Sequence, residues 1–172
     1  MEIERQRLYF DDLAVGMWFV TAGRTVTETD LVTFAGVSGD FNPLHSDMEF
    51  ARGTIFGERV AHGTLILSLA SGLRQRTGLF EGTMMAFLEI KGWRFIRPVF
   101  VGDTIRVVTE ITGLRPTSRS DRGVMVQAVK VLNQRDEIVA QGEFVNLVRR
   151  RPPVDAAPAG DPEGPENDGT VS

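Results

Sequence analysis

The sequence predicts an α+β domain in which an antiparallel sheet wraps or covers one central helix. The elements follow in the order of one strand, small helices, one long helix and four strands. The long helix is apolar over most of its surface, which is typical of a helix enclosed by other structure. The last two strands flank a polar turn, as in an antiparallel hairpin. With 172 residues, 42% of them hydrophobic, the chain can bury one core.

The first part of the chain consists of short elements separated by turns. Residues 17–27 are rich in aromatic and β-branched side chains, which predicts a strand broken by a glycine. Thr27 or Thr29 can cap a short helix that ends at Gly39. A further helical turn is predicted over residues 46–52. The stretch between these two helices is predicted to be a rigid loop.

The long helix is predicted from about Gly63 to Arg76. Its apolar residues recur on one broad face, at Leu65, Ile66, Leu69, Ala70 and Leu73. Arg74 suits the C-terminal end because the helix dipole favours cations there, and Gly78 stops the helix. Four strands are predicted after it, with a bulge at Gly92 in the first. They cover residues 84–95, 105–114, 124–132 and 138–148.

The charge distribution divides the chain into a body and a tail. Residues 152–172 hold five of the 23 acidic residues and none of the 19 basic ones, which leaves residues 1–151 with a formal charge of +1. A nearly neutral body gives no case for nucleic acid as a partner. The tail also holds five of the eight prolines and no aromatic residue. We therefore expect a single domain over residues 1–151 and a disordered tail over residues 152–172.

Two further observations bear on location and chemistry. The chain contains no cysteine, which excludes disulfides, thiolate nucleophiles and thiolate metal sites. Residues 1–7 lack the apolar core of a signal peptide, and the apolar run at residues 65–70 is too short to span a bilayer. We therefore expect a cytoplasmic protein that does not enter a membrane.

An acid and a base lie close together in the loop between the first two helices. Asp40 suits a general base or a water-orienting group, and His45 suits an acid because imidazole titrates near neutral pH. Asn42 can hold a water or tie the turn through its amide, while Pro43 keeps the preceding residue extended. The same residues also suit an ordinary surface turn, so spacing alone leaves both interpretations open. The two histidines and scattered carboxylates show no usual metal-ligand spacing, and no metal site is predicted.

Three motifs in matching order, over roughly residues 12–148, resemble the MaoC-like dehydratases, the family of (R)-specific enoyl-CoA hydratases. The first is residues 34–45, Phe-Ala-Gly-Val-Ser-Gly-Asp-Phe-Asn-Pro-Leu-His. The second is His62-Gly63 followed by the small-residue stretch 67–72, which is similar to the family's His-Gly entry into its central helix. The third is residues 95–104, which resembles its Pro-Val-x-x-Gly-Asp strand connection.

The resemblance implies a hot-dog fold, a homodimer, and an acyl-CoA thioester bound near the subunit interface. It implies that Asp40 and His45 activate a water during hydration of a trans-2-enoyl thioester, or its reversal, without metal or redox cofactor. The Gly63 N–H would bind the thioester oxygen at the helix N-terminus. Asn42 would help to position these groups, and Ser71 matches a serine that supports the aspartate.

Two other functions stay open at this point. A hot-dog thioesterase would share the architecture and the oxyanion helix but hydrolyse the thioester, and the intact loop with Asp40, Asn42 and His45 argues against it. A non-catalytic acyl-CoA-binding subunit is also compatible with the sequence. His62 is interpreted as structural, because the family pattern places the chemistry on the Asp–His pair.

Overall fold

The structure, a computed structural model, describes residues 7–152. The predicted tail therefore lies outside the described residues, apart from Pro152. A 3-10 turn at Phe10–Asp12 precedes the helices and strands. The helices are α1 (Glu28–Ser38), α2 (Pro43–Ser46), α3 (Met48–Arg52) and α4 (Gly63–Gln75). The strands are β1 (Trp18–Val20), β2 (Arg24–Thr25), β3 (Met84–Phe95), β4 (Thr104–Pro116), β5 (Arg122–Leu132) and β6 (Ile138–Arg149).

The strands form one antiparallel sheet in the order β1-β4-β5-β6-β3, and β2 pairs with β4 beside β1. Strands β5 and β6 form the predicted hairpin. The register between β3 and β6 shifts between Lys91 and Arg94, where Gly92 has a φ of 56°. The bulge predicted at this glycine is thereby confirmed, because few other residues tolerate a positive φ.

The long helix α4 packs against the sheet, and this contact forms the main core. Leu65, Ile66, Ala70 and Leu73 lie in one buried cluster with the inward side chains of β4, β5 and β6. Strand β5 alternates strictly between buried and less buried residues, as a sheet with one face on the core requires. The α+β class with an antiparallel sheet over a central helix is thus confirmed. Arg74 departs from the expectation for a helix-end cation, because it is 8% exposed.

A second buried cluster packs against the sheet beyond the C-terminal end of α4. It joins the N-terminal segment to the loop that follows the helix and to the adjoining ends of the strands. Its members are Leu8, Phe10, Phe19, Leu79, Phe80, Ile111, Met125 and Val148. Thr83 reinforces this junction by donating its hydroxyl to the carbonyl of Leu8 at 2.7 Å. This end of the molecule is therefore closed by apolar side chains.

The segment from α1 to α3 follows the predicted capping pattern. Thr27 caps α1 through a capping box with Asp30, and Gly39 ends the helix at a φ of 73°. The loop predicted to hold both Asp40 and His45 is shorter than expected, because His45 lies inside the one-turn helix α2. The side chain of Asn42 accepts from the N–H of Leu44, which starts α2 with proline at its first position.

Within the described residues, no helix is both long enough and apolar enough to traverse a lipid bilayer.

Candidate active site

Asp40 lies directly after the left-handed residue that ends α1. Its carboxylate accepts from the N–H of Asn42 at 3.2 Å, and its own N–H donates to the hydroxyl of Ser38 at 3.2 Å. These local hydrogen bonds fix the turn. Among residues 7–152, no basic side chain forms an ion pair with Asp40, and the residue is exposed. The carboxylate is therefore free to act on a molecule in front of it.

His45 is held in one orientation by its first ring nitrogen. Nδ1 lies 2.7 Å from the carbonyl oxygen of Val60, in the segment that leads into α4. A carbonyl oxygen only accepts, so Nδ1 carries the hydrogen. In the neutral ring Nε2 then keeps a lone pair, and this nitrogen can take a proton from water. His45 was expected to act as the acid, whereas this tautomer is the one that a general base needs.

His62 lies beneath both residues and is 1% exposed. Its Nε2 donates to the backbone carbonyl of Asp40 at 3.0 Å, and its ring stacks on that of His45 with centroids 3.8 Å apart. The ring centroid of Phe34, in α1, lies 5.2 Å from that of His62. Its Nδ1 is buried and lacks a hydrogen-bond partner. The structural role predicted for His62 agrees with these contacts, which tie the Asp40 turn to the His45 ring.

A cavity of about 430 Å³ lies in front of this group and is called the Asp40 cavity here. The start of α4 at Gly63 forms its polar side together with the side chains of Asp40, His45, His62, Thr64 and Arg97. Its apolar wall consists of Phe56, Val60, Ala61, Ile66, Phe95, Ile96, Pro98, Val99, Val139 and Ala140. The cavity therefore combines an apolar wall with a few convergent polar groups, as binding sites for organic molecules do.

The helix start at Gly63 has the open N–H groups expected of an anion-stabilising site. His62 occupies the N-cap position without forming a side-chain cap, so the first-turn N–H groups are not satisfied by it. A Cβ on Gly63 would lie 2.8 Å from the ring of Phe95. Glycine therefore allows the ring to approach the helix start, and the predicted importance of Gly63 acquires a steric reason.

The side chains of Asp40, His45 and His62 are close enough to raise the question of a metal ion. Their possible ligand atoms all lie within 4.8 Å of one another, which the sequence spacing did not indicate. The two imidazole rings are tilted by 30° with centroids 3.8 Å apart. Nδ1 of His45 and Nε2 of His62 already donate to backbone carbonyl oxygens, so each ring has one nitrogen left for another partner.

The remaining predicted site residues differ in their placement. Asn42 lies beside Asp40, and its side chain caps α2, which carries His45. Ser71 lies eight residues after Gly63 on α4, about 12 Å along the axis. It lines a different cavity from Asp40 and forms no hydrogen bond with it in this chain. The supporting role of Ser71 therefore stays a prediction.

The site also includes a residue that was not among the predicted site residues. The ring of Phe95 covers the helix start at Gly63, and the residue is 55% exposed. A register shift in β3 directly before it turns this side chain toward α4. The predicted bulge at Gly92 was the only sequence signal that pointed to this irregularity.

Comparison with known proteins assigns the family. The family model described as MaoC like domain matches residues 13–134. The chain belongs to this MaoC-like family. It is 32% identical to 3-hydroxybutyryl-CoA dehydratase of Methylorubrum extorquens, over 88% of this chain and 91% of that protein. It is 34% identical to the (R)-specific enoyl-CoA hydratase of Aeromonas caviae, over 67% of this chain and 81% of that protein. Against Protein MaoC of Klebsiella aerogenes the identity is 40%, but the chain spans only 33% of that protein.

Several solved structures match the described fold. A monoamine oxidase regulatory protein from Archaeoglobus superposes with a TM-score of 0.79 at 40% identity, over 87% of this chain and all of that one. The (R)-hydratase of A. caviae superposes with a TM-score of 0.66 at 31% identity, over 81% of this chain and 98% of that one. A protein from Mycobacterium tuberculosis described as a double hot-dog fold gives 0.75 at 26% identity, over 88% of this chain and 46% of that one. The hot-dog fold implied by the sequence motifs is confirmed.

Proposed function

We propose that this protein adds water to a trans-2-enoyl-CoA to give an (R)-3-hydroxyacyl-CoA, or catalyses the reverse dehydration. The observation that supports this best is the convergence of Asp40, His45 and the start of α4 at Gly63 on one cavity. Its relatives include proteins named as an (R)-specific enoyl-CoA hydratase and a 3-hydroxybutyryl-CoA dehydratase. Both names describe hydro-lyases that act on CoA thioesters.

Asp40 and His45 have complementary tasks in this reaction. Hydration adds the water oxygen to C3 of the enoyl group and a proton to C2, so one group must take a proton and one must return it. Nε2 of His45 can accept a proton from water, because Nδ1 is committed to the carbonyl of Val60. The Asp40 carboxylate can orient the same water or take the other part in the proton transfer. Asn42 helps to fix the position of His45 relative to Asp40, because its side chain caps α2.

The start of α4 supplies the electrophilic part of the site. As C3 is attacked, negative charge develops on the thioester oxygen. Free N–H groups at a helix N-terminus stabilise such charge, because they and the helix dipole point toward it. Gly63 is the first residue of α4 and lines the cavity, so its N–H is the proposed donor.

The proposal includes assembly as a homodimer in a cytoplasmic location. Strand β3 is an edge of the sheet in one chain and carries the exposed apolar residues Phe87, Leu88, Ile90 and Phe95, with the exposed Ile96 directly after it. An unpaired apolar edge of this length favours pairing with a second copy. Light scattering coupled to size exclusion tests this directly, and a monomer at micromolar concentration would contradict it.

One assay separates the proposal from its two rivals. Purified protein is mixed with crotonyl-CoA while the absorbance of the conjugated enoyl thioester and the release of free thiol are followed together. We expect the absorbance to fall without release of thiol, and chiral analysis to give the (R)-3-hydroxy product. Release of thiol would instead indicate a thioesterase. No turnover of crotonyl-CoA or of longer enoyl-CoAs would favour a non-catalytic acyl-CoA-binding subunit.

A further inference from the structure

Arg74 is a buried cation without a negative partner. It lies in the last turn of α4 and is 8% exposed. Its Nη2 donates to the side-chain oxygen of Gln127, and its guanidinium lies 4.7 Å from the centre of the Phe144 ring. No acidic side chain among residues 7–152 pairs with it. Burial lowers the pKa of Arg74 to about 10, so the group remains charged at neutral pH.

The polar groups around Arg74 are incompletely satisfied. Asn146 donates to the same oxygen of Gln127 at 3.2 Å, so one acceptor serves two donors. Nε of Arg74, the amide nitrogen of Gln127 and the side-chain oxygen of Asn146 are buried without hydrogen-bond partners. Such groups cost free energy in a protein interior unless something else satisfies them. Nε of Arg74 and the amide nitrogen of Gln127 are donors, so a ligand that accepts hydrogen bonds would satisfy them, whereas the Asn146 oxygen needs a donor.

A cavity of about 210 Å³ adjoins this network and is called the Arg74 cavity here. Ser71, Arg74, Gln75 and Asn146 supply its polar atoms. Its apolar wall is formed by Phe19, Phe80, Met84 and Phe87. The cavity therefore has the size and the lining for a small polar group on an otherwise apolar molecule.

We propose that the Arg74 cavity binds a carboxylate group. A planar guanidinium pairs with a carboxylate through two parallel hydrogen bonds, and in a buried site this pairing compensates the isolated charge. The carboxylate has two possible sources. It can be the far end of the acyl group in the Asp40 cavity, which rests on the proposed function, or it can belong to a free carboxylic acid that regulates the protein.

Both cavities lie beside α4 and strands β3 and β6, one toward each end of the helix, and they share no lining residue. A row of aromatic contacts connects them: the Phe95 ring at Gly63 neighbours Trp93 at 6.5 Å, and Trp93 stacks on Phe144 at 5.5 Å. Arg74 contacts the same Phe144. Phe144 is fully buried in this row, so an acyl chain that extends from Gly63 to Arg74 has to pass beside these rings. The first source therefore applies only to acyl chains long enough to do so.

The substrate source is tested by comparing matched pairs of enoyl-CoAs with and without a terminal carboxylate. The pairs run from the five-carbon to the ten-carbon chain, for example trans-2-octenoyl-CoA and trans-2-octenedioyl-CoA. We expect the parent protein to prefer the carboxylate member of at least one pair in kcat/KM by about 10- to 100-fold, the size of a charge-assisted hydrogen-bond pair. Arg74→Met should abolish this ratio, whereas Arg76→Met, at the exposed neighbouring arginine of the same helix end, should retain it.

The regulatory source is tested with glutarate as a free carboxylate. Thermal unfolding is followed with increasing glutarate, and hydration of crotonyl-CoA is measured in parallel. We expect a saturable rise in Tm and a change in the crotonyl-CoA rate in the parent protein, neither of which Arg74→Met shows. Sodium chloride at equal ionic strength is the control.

A second variant keeps the proposal testable if Arg74→Met does not fold. Asn146→Asp places a carboxylate within the network itself, so we expect a higher Tm and loss of both carboxylate effects. The proposal is overturned if the parent protein shows neither a carboxylate preference nor a saturable glutarate response. If crotonyl-CoA is hydrated in that case, only this inference fails. If no thioester reacts but glutarate binds, the proposed function fails and the carboxylate site remains.

Discussion

The two ends of α4 present polar groups in different ways. At the N-terminal end, a turn and the one-turn helix α2 bring Asp40 and His45 to the mouth of the Asp40 cavity, where Asp40 is exposed. At the C-terminal end, Arg74 is buried in the Arg74 cavity and its nearest partners are an amide and an aromatic ring. An exposed carboxylate keeps its hydration and is available for chemistry, whereas a buried cation demands compensation. The comparison suggests that the reaction takes place at the N-terminal end of α4 and that a carboxylate is recognised at the C-terminal end.

The largest expected effect is that of Asp40→Asn on hydration. Loss of one group in general acid–base catalysis costs about 10²- to 10⁴-fold, so kcat for crotonyl-CoA should fall to near background. The fold should be retained, because the side chain is exposed and its hydrogen bond to the N–H of Asn42 can also be made by an amide oxygen. Spectrophotometric assays of crotonyl-CoA hydration measure kcat, and circular dichroism measures whether the fold is retained. Glu81→Gln is a control for loss of an exposed carboxylate, and an unimpaired Asp40→Asn protein would contradict the assigned role.

His45→Gln should reduce kcat by about 10²-fold, which is the lower part of the range for a proton-transfer group. The amide can still donate to the carbonyl of Val60, but it cannot accept a proton at neutral pH. A His45→Gln protein that hydrates crotonyl-CoA with the kcat of the parent protein would contradict this role.

His62 offers a way to separate positioning from chemistry. His62→Leu removes the hydrogen bond to the carbonyl of Asp40 and the stacking on His45, whereas His62→Gln can retain the hydrogen bond. We expect kcat to fall by about tenfold in the leucine variant, with KM little changed, and the free energy of unfolding to fall by about 1–3 kcal/mol. The glutamine variant should lose less kcat and less free energy of unfolding than the leucine variant.

Equal loss of kcat in the two His62 variants, without any recovery, would point to a direct role of the imidazole in proton transfer.

The smallest expected effect concerns an ion pair that holds α1 to the segment before α4. Arg59 donates to both carboxylate oxygens of Glu28, at 2.9 and 2.6 Å, and this lowers the pKa of Glu28 despite an opposing effect of burial. Glu28→Gln should lower the free energy of unfolding at neutral pH by roughly 0.5 kcal/mol, because the Glu28 side chain is 51% exposed and solvent screens its charge.

The contribution of this pair should also depend on pH with a definite sign. Because the pKa of Glu28 is lowered in the folded protein, its charge stabilises the fold fully at pH values above the ordinary pKa of 4.5. This stabilisation is lost as the pH falls through the pKa of the folded protein. Chemical denaturation of the parent and Glu28→Gln proteins should therefore converge in acid. Glu58→Gln, at an exposed carboxylate in the same segment as Arg59, is the control for loss of one negative charge.

Local signals predicted much of the fold correctly. Capping at Thr27, the left-handed end at Gly39 and the glycine bulge at Gly92 each depend on a few adjacent residues, so they can be read from sequence. The apolar face of α4 also emerged from periodicity alone. The course of α2 was wrong, because the proline at its start was interpreted as a rigid loop element although proline is well suited to the first turn of a helix.

The amino-acid sequence by itself determined the fold class, the order of elements and the pairing of Asp40 with His45 as candidates, because each of these follows from local periodicity, caps or motif spacing. Only the tertiary structure decided that His62 lies under both of them, that Phe95 covers Gly63, and that Arg74 is buried without a counter-ion. The physical reason is that burial and side-chain partners depend on contacts between residues far apart in the chain. A basic residue near a helix end looks like a dipole partner until the sheet encloses it.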